Sequence, residues 1–68
     1  MQITVKLLRT NDIKIVNIKN HATVIDLLRK LDIKPDTVIV TTENQPIPID
    51  EKLYEDQEIT IIQVSSGG

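Results

Sequence analysis

Gly67 and Gly68 are the only glycines among the 68 residues, and they stand at the very end of the chain. Glycine has no Cβ and adopts nearly any backbone geometry, so such a pair can pass through a channel too narrow for side chains and deliver a carboxylate. A carboxylate is a poor acyl donor because oxide would have to leave. Transfer onto the α-phosphate of ATP makes an acyl adenylate, which sulfide, a thiol or an amine can attack. The chain has no Gly-rich phosphate loop. ATP and Mg, and the stabilisation of phosphoryl transfer, therefore belong to a separate activating enzyme, and no cofactor is expected on this chain. Ordering the tail costs about 1–2 kcal/mol per residue, which contacts elsewhere on the domain must recover. A terminal Gly-Gly can also be a plain frayed end.

No other residue type competes for a chemical role. With no cysteine there is no thiol nucleophile, disulfide or zinc-thiolate site. His21 has no nucleophile or carboxylate fixed beside it by sequence and reads as a surface histidine. Asp50, Glu51, Glu55, Asp56 and Glu58 lack the ligand spacing and central glycine of a calcium loop, and read as a solvated acidic rim able to meet basic residues of a partner. We therefore expect no catalytic residue, no metal site and no independent enzyme.

Composition narrows the classes further. At 68 residues the chain is one domain, and with Tyr54 as its single aromatic the core must be built from Ile, Val and Leu. A net charge of -2 and a pI near 5.1 argue against a nucleic-acid binder. The start Met1-Gln2-Ile3-Thr4-Val5-Lys6 has no signal-peptide pattern, and no apolar run approaches the roughly 20 residues that span a bilayer. The expectation is a cytoplasmic protein, monomeric when free, without a membrane partner.

Positioning falls to a small set of elements. Ile3, Val5 and Leu7 alternate with Thr4 and Lys6 in a first strand over 2–8, and Arg9-Thr10-Asn11-Asp12 supplies a turn. A second strand over 13–19 has an awkward phase, since Ile13 and Ile15 share one face while Val16 and Ile18 share the other; a bulge is one explanation, and its register stays open. Val24, Leu27, Leu28 and Leu31 fall on one helical stripe, with Thr23 as N-cap, Asp26 near the positive end of the helix dipole and an end near Leu31 or Asp32 ahead of Pro35. Residues 37–42 are a β-branched third strand, and Pro46-Ile47-Pro48-Ile49 allows at most a short edge strand. Asp50 to Asp56 reads as a helical turn or ordered loop with Leu53 and Tyr54 tucked inward. Glu58 to Val64 is aliphatic enough for the middle of the sheet. Residues 1–64 form the domain and 65–68 a flexible tail.

One helix covers only one face of such a sheet. If Val38, Val40, Ile59 and Ile61 point at the helix, then Ile39, Ile62 and Val64 point to the open side beside Thr4 and Lys6, either as a small docking patch or as ordinary exposed aliphatics.

The element order, the opening Met1-Gln2-Ile3-Thr4-Val5-Lys6, the helix start Thr23-Val24-Ile25-Asp26-Leu27-Leu28 and the ending Ile59 to Gly68 resemble the ubiquitin-like β-grasp superfamily. In length the chain is most similar to the thiamine-biosynthesis sulfur carriers and the small subunit of molybdopterin synthase. The resemblance spans essentially the whole chain and implies an α+β fold: a mixed four- to five-stranded sheet, first and last strands parallel at its centre, one helix across one face. It further implies that Gly68, preceded by Gly67, is the activated C-terminus. An adenylating enzyme related to ubiquitin activators acts on it, a sulfur donor converts it to a thiocarboxylate, and an acceptor synthase takes the sulfur. Ile39 and Ile62 fall near the family's partner-binding patch. Two other readings stay open: a protein modifier joined through Gly68 to target lysines, and a noncovalent interaction module.

Overall fold

A computed structural model describes residues 1–64; the expected tail, with Ser65, Ser66, Gly67 and Gly68, lies outside the described residues. The elements are β1 (Gln2–Leu7), β2 (Asp12–Asn17), α1 (Val24–Lys30), a 3-10 turn (Pro35–Thr37), β3 (Val38–Thr42), β4 (Gln45–Pro46) and β5 (Glu58–Gln63). They build one mixed sheet in the order β2-β1-β5-β3-β4. β1 and β5 are parallel at its centre, and β2 and β3 flank them antiparallel. This is the arrangement the β-grasp resemblance implies.

Alternation along the strands separates the two faces. Ile3, Val5, Val40, Ile59 and Ile61 are buried with Val24, Leu27 and Leu28 of α1, and Leu53 and Val16 complete the aliphatic core. The β2 register runs unbroken from Gln2↔Asn17 to Leu7↔Asp12, so no bulge interrupts it. Its awkward phase has a simpler cause. Val16 sits opposite Ile3 and faces the helix, whereas Ile13 and Ile15 sit opposite Lys6 and Thr4 on the open face, 66% and 55% exposed.

Both ends of α1 are tied down. The N–H groups of Val24 and Ile25 donate to the carbonyls of Glu51 (3.0 Å) and Ile49 (2.8 Å), so the 49–53 loop satisfies donors that a helix start leaves open. Asp26 Oδ2 accepts from the Thr23 N–H at 3.0 Å and from its hydroxyl at 3.2 Å. At the other end Asp32 takes φ 59°, and Ile33 N–H reaches Leu28 O while Asp32 N–H reaches Arg29 O. That left-handed closure stops the helix before Pro35 is reached. The 50–56 segment is a loop, not a helical turn, and only half of the expectation for its apolar pair holds. Leu53 is buried; Tyr54 is 54% exposed, because the loop's inward anchors are Leu53 and Gln57. Gln57 Oε1 accepts from the Tyr54 N–H at 3.0 Å, which fixes the backbone there and leaves the ring outside.

Candidate functional site

The site is built where β5 leaves the sheet. Being central, β5 is held by hydrogen bonds along both edges, and its last residues are anchored individually. Val64 N–H donates to Thr37 O at 3.0 Å, and Arg9 Nη1 donates to Gln63 Oε1 at 3.3 Å. Whatever follows Val64 therefore starts from a rigid base. Gly67 and Gly68 themselves lie beyond the described residues.

On the open face beside this exit, Ile39 and Ile62 are direct cross-strand partners, one from β3 and one from β5. Ile39 is 43% exposed although its neighbour Val40 is 3% exposed, the signature of a strand with one wet face. Val64, two residues past Ile62, is also exposed. Leu8 was not among the candidates from sequence. Its N–H donates to Ile61 O at 3.1 Å, which continues the β1 ladder by one residue and sets an exposed Leu8 beside Ile62. The signal was present: Leu8 continues the Thr4, Lys6 alternation. The same face carries Thr41, whose hydroxyl donates to Thr60 O at 3.4 Å, and Lys6 of β1, which sits beside Thr60, so the aliphatics border small hydroxyls and one exposed cation.

On the helix side of the same exit lies a cleft lined by Leu7, Ile33, Val38 and Ile61 together with the charged residues Arg9, Asp32 and Lys34. The base of β5 thus has apolar surface on one face and an apolar cleft with charges of both signs around it on the other.

The remaining sequence candidates stay apart from this region. His21 is exposed with φ 69°. Asp50, Glu51, Glu55, Asp56 and Glu58 are all exposed, and Glu55 Oε2 accepts from the Gln2 N–H at 2.8 Å. No cluster of potential metal ligands occurs among the described residues. Among the described residues Asp26 is the one titratable group with a clear shift: the hydrogen bond from the Thr23 backbone holds its carboxyl below the ordinary aspartate value, aided by the Thr23 hydroxyl and the charges of Lys19 and Arg29. It serves the helix start, not chemistry. Among the described residues no helix is long and apolar enough to cross a membrane.

The fold superposes on the crystal structure of SAMP1 from Haloferax volcanii with a TM-score of 0.76 over 100% of both chains, at 19% identity. An uncharacterized protein of Archaeoglobus fulgidus is 40% identical over 43 residues, which span 63% of this chain and 63% of that protein. The family model described as small archaeal modifier protein 2 matches residues 1–65. The fold is therefore a ubiquitin-like β-grasp, and the family that matches is one of small modifiers and carriers rather than of enzymes. With all but three of its residues inside that match, the chain belongs to the family of small archaeal modifier protein 2.

Proposed function

We propose that this chain is a protein carrier activated at Gly68 and transferred to amines. A separate enzyme, holding ATP and Mg on its own surface, transfers AMP to the Gly68 carboxylate and releases pyrophosphate. The nitrogen of a target lysine then attacks the acyl carbon, loses a proton, and displaces AMP, leaving an isopeptide. Residues 1–64 serve as the docking domain and 65–68 as the tail. The patch of Ile39, Ile62 and Val64, extended by Leu8, receives the activating enzyme, and the reaction belongs in the cytoplasm, where ATP is available. The observation that carries this reading is the match to a modifier family through residue 65, with Gly67-Gly68 following after the single residue Ser66.

The minimal domain size and its likeness to sulfur carriers favour a second fate for the same adenylate. Hydrosulfide delivered by a sulfur donor displaces AMP and leaves a thiocarboxylate, which an acceptor synthase uses in making thiamine, molybdopterin or a related product. Intact-mass spectrometry after incubation with the activating enzyme, ATP and a sulfur source separates the two. Exchange of oxygen for sulfur supports carriage of sulfur; higher-mass adducts in cells that disappear on deletion of Gly67-Gly68 support conjugation. An unchanged mass together with no adducts, or a Gly67-Gly68 deletion that keeps full biological activity, overturns activation at Gly68 and leaves a noncovalent module.

A further inference from the structure

The two edges of the sheet are protected unequally. β4 is two residues long and contains Pro46, which has no N–H to offer. β2 is six residues long, without proline, and forms the opposite edge. Met1 and Ile18 exchange hydrogen bonds in both directions, at 2.6 Å and 2.9 Å. In an antiparallel pair every second residue does so, hence Val16, Lys14 and Asp12 face β1 while Asn17, Ile15 and Ile13 turn their N–H and C=O groups outward. A row of strand-pairing groups is thus presented at the edge, flanked on the open face by the exposed side chains of Ile13 and Ile15.

The helix-side face of this edge is basic, although the chain as a whole carries a net charge of -2. Lys14 sits opposite Val5 on that face and is exposed. Lys19 and Lys30 line the groove between β2 and α1, together with Asn17, Ile18 and Asp26. Two acids share the region, and both accept hydrogen bonds locally, Asp26 from Thr23 and Asp12 from the Thr10 hydroxyl at 2.8 Å. A lysine placed on the covered side of an edge strand disfavours pairing of that edge with its own copy, because the partner would bring the same lysines to the same side. It favours a strand of opposite charge.

We propose that the β2 edge binds an extended acidic peptide as a sixth strand. Backbone groups of Ile13, Ile15 and Asn17 supply the pairing, apolar side chains of the peptide lie over Ile13 and Ile15, and the alternate positions carry carboxylates toward Lys14, Lys19 and Lys30. The required ligand is therefore an alternation of β-branched and acidic residues about six positions long, the period of a strand with two different faces. This surface is separate from Ile39 and Ile62 and does not depend on Gly68.

The test is a titration of the isotopically labelled full chain with a capped hexapeptide of alternating valine and aspartate, followed by amide chemical shifts and hydrogen exchange. The expected result is shifts confined to residues 12–19 and Lys30, with slowed exchange at the Ile13, Ile15 and Asn17 amides. Replacing each aspartate of the peptide by lysine abolishes binding. Combining Lys14→Glu and Lys30→Glu weakens binding at least about tenfold, and raising salt from about 0.1 M to 0.5 M weakens it several-fold. Ile15→Pro removes an outward donor without touching the β1 ladder and abolishes binding; if that variant does not fold, Ile15→Asp replaces it. No binding, equal binding of the lysine peptide, shifts centred on Ile39 and Ile62, or a concentration-dependent dimer in sedimentation without peptide uptake each overturns the proposal.

Discussion

Ile39 and Val40 are adjacent on β3 and face opposite sides of the sheet, so a pair of conservative substitutions separates docking from folding. Docking of an activating enzyme on the open face would remove the 43% of Ile39 that is exposed, roughly 75 Å² of apolar surface, which at about 25 cal/mol per Å² contributes about 2 kcal/mol, or about thirtyfold in affinity. Ile39→Thr keeps the β-branch and most of the strand preference, and replaces much of that surface with a hydroxyl. We expect it to lower kcat/KM for adenylation by about tenfold while costing under about 1 kcal/mol of stability. Val40→Ala has the opposite profile. Val40 is only 3% exposed, and deleting the equivalent of two methylenes there costs about 2–3 kcal/mol once the cavity is included. For a domain of this size the midpoint should fall by roughly 10–20 °C. Pyrophosphate release by the activating enzyme at 20 °C, with chain concentration varied, gives the first quantity, and a circular-dichroism melt gives the second. Native kcat/KM in Ile39→Thr would refute docking on this face. Loss of kcat/KM in Val40→Ala at a temperature where it is fully folded would refute the separation of the two faces.

The other expectations concern the scaffold. Asp26 is held ionised by Thr23, so its folded value lies below that of the unfolded chain. Its contribution is fully present above about pH 4 and is lost as pH falls through the folded value, and Asp26→Asn should flatten the acid limb of a midpoint-versus-pH curve without altering its neutral plateau shape. The β3-β4 hairpin closes through Glu43 and Asn44, at φ 52° and 64°, a left-handed pair that favours glycine at its second position. Asn44→Gly should raise stability by up to about 1 kcal/mol in urea titration, and a fall in the midpoint would contradict the turn assignment. Leu28→Ala, in the centre of the helix stripe, should cost about 2–5 kcal/mol, a large share of the total for 68 residues, and an unchanged urea midpoint would contradict the core described here.

Much of this fold was legible because a strand and a helix leave different periods in sequence. The 3, 5, 7 alternation, the 24, 27, 28, 31 stripe and the aliphatic run from Glu58 each mark one element, and the observed strands depart from the expected limits by no more than two residues at any end of β1, β2, β3 or β5. β2 shows where period alone fails. Apolar residues at 13, 15, 16 and 18 fit either a bulged strand with one apolar face or a regular strand with two, and only the partner strand decides. The deciding fact is non-local: β1 ends at Leu7 and pairs residue for residue with β2, which sends Ile13 and Ile15 to the open face. Tyr54 failed for a related reason, since its direction is set by the hydrogen bond between its N–H and Gln57 rather than by its apolarity. For the candidate site, alternation alone was enough to give the exposure of Ile39 and Val64, and the same alternation, continued from Thr4 and Lys6, puts Leu8 on the open face, where an apolar residue departs from the polar character of that side of β1.

Left-handed backbone links the fold to the special place of the glycines. Asn11, His21, Asp32, Glu43, Asn44 and Asp56 all have positive φ, each where the chain reverses or a helix closes. Glycine is the residue such positions ordinarily favour, and a side chain there costs of order 1 kcal/mol, less for Asn and Asp. Residues 1–64 contain no glycine at all, so the domain carries that cost at every one of these turns. Substituting glycine at them should therefore stabilise the domain with no effect on adenylation, whereas the reverse exchange, a side chain at Gly67 or Gly68, should leave stability unchanged and stop acyl transfer. Thermal melts and pyrophosphate release on the two sets of variants measure both halves. A Gly68→Val chain that is adenylated at the native rate would show that the absence of side chains at the last two residues has no part in the chemistry.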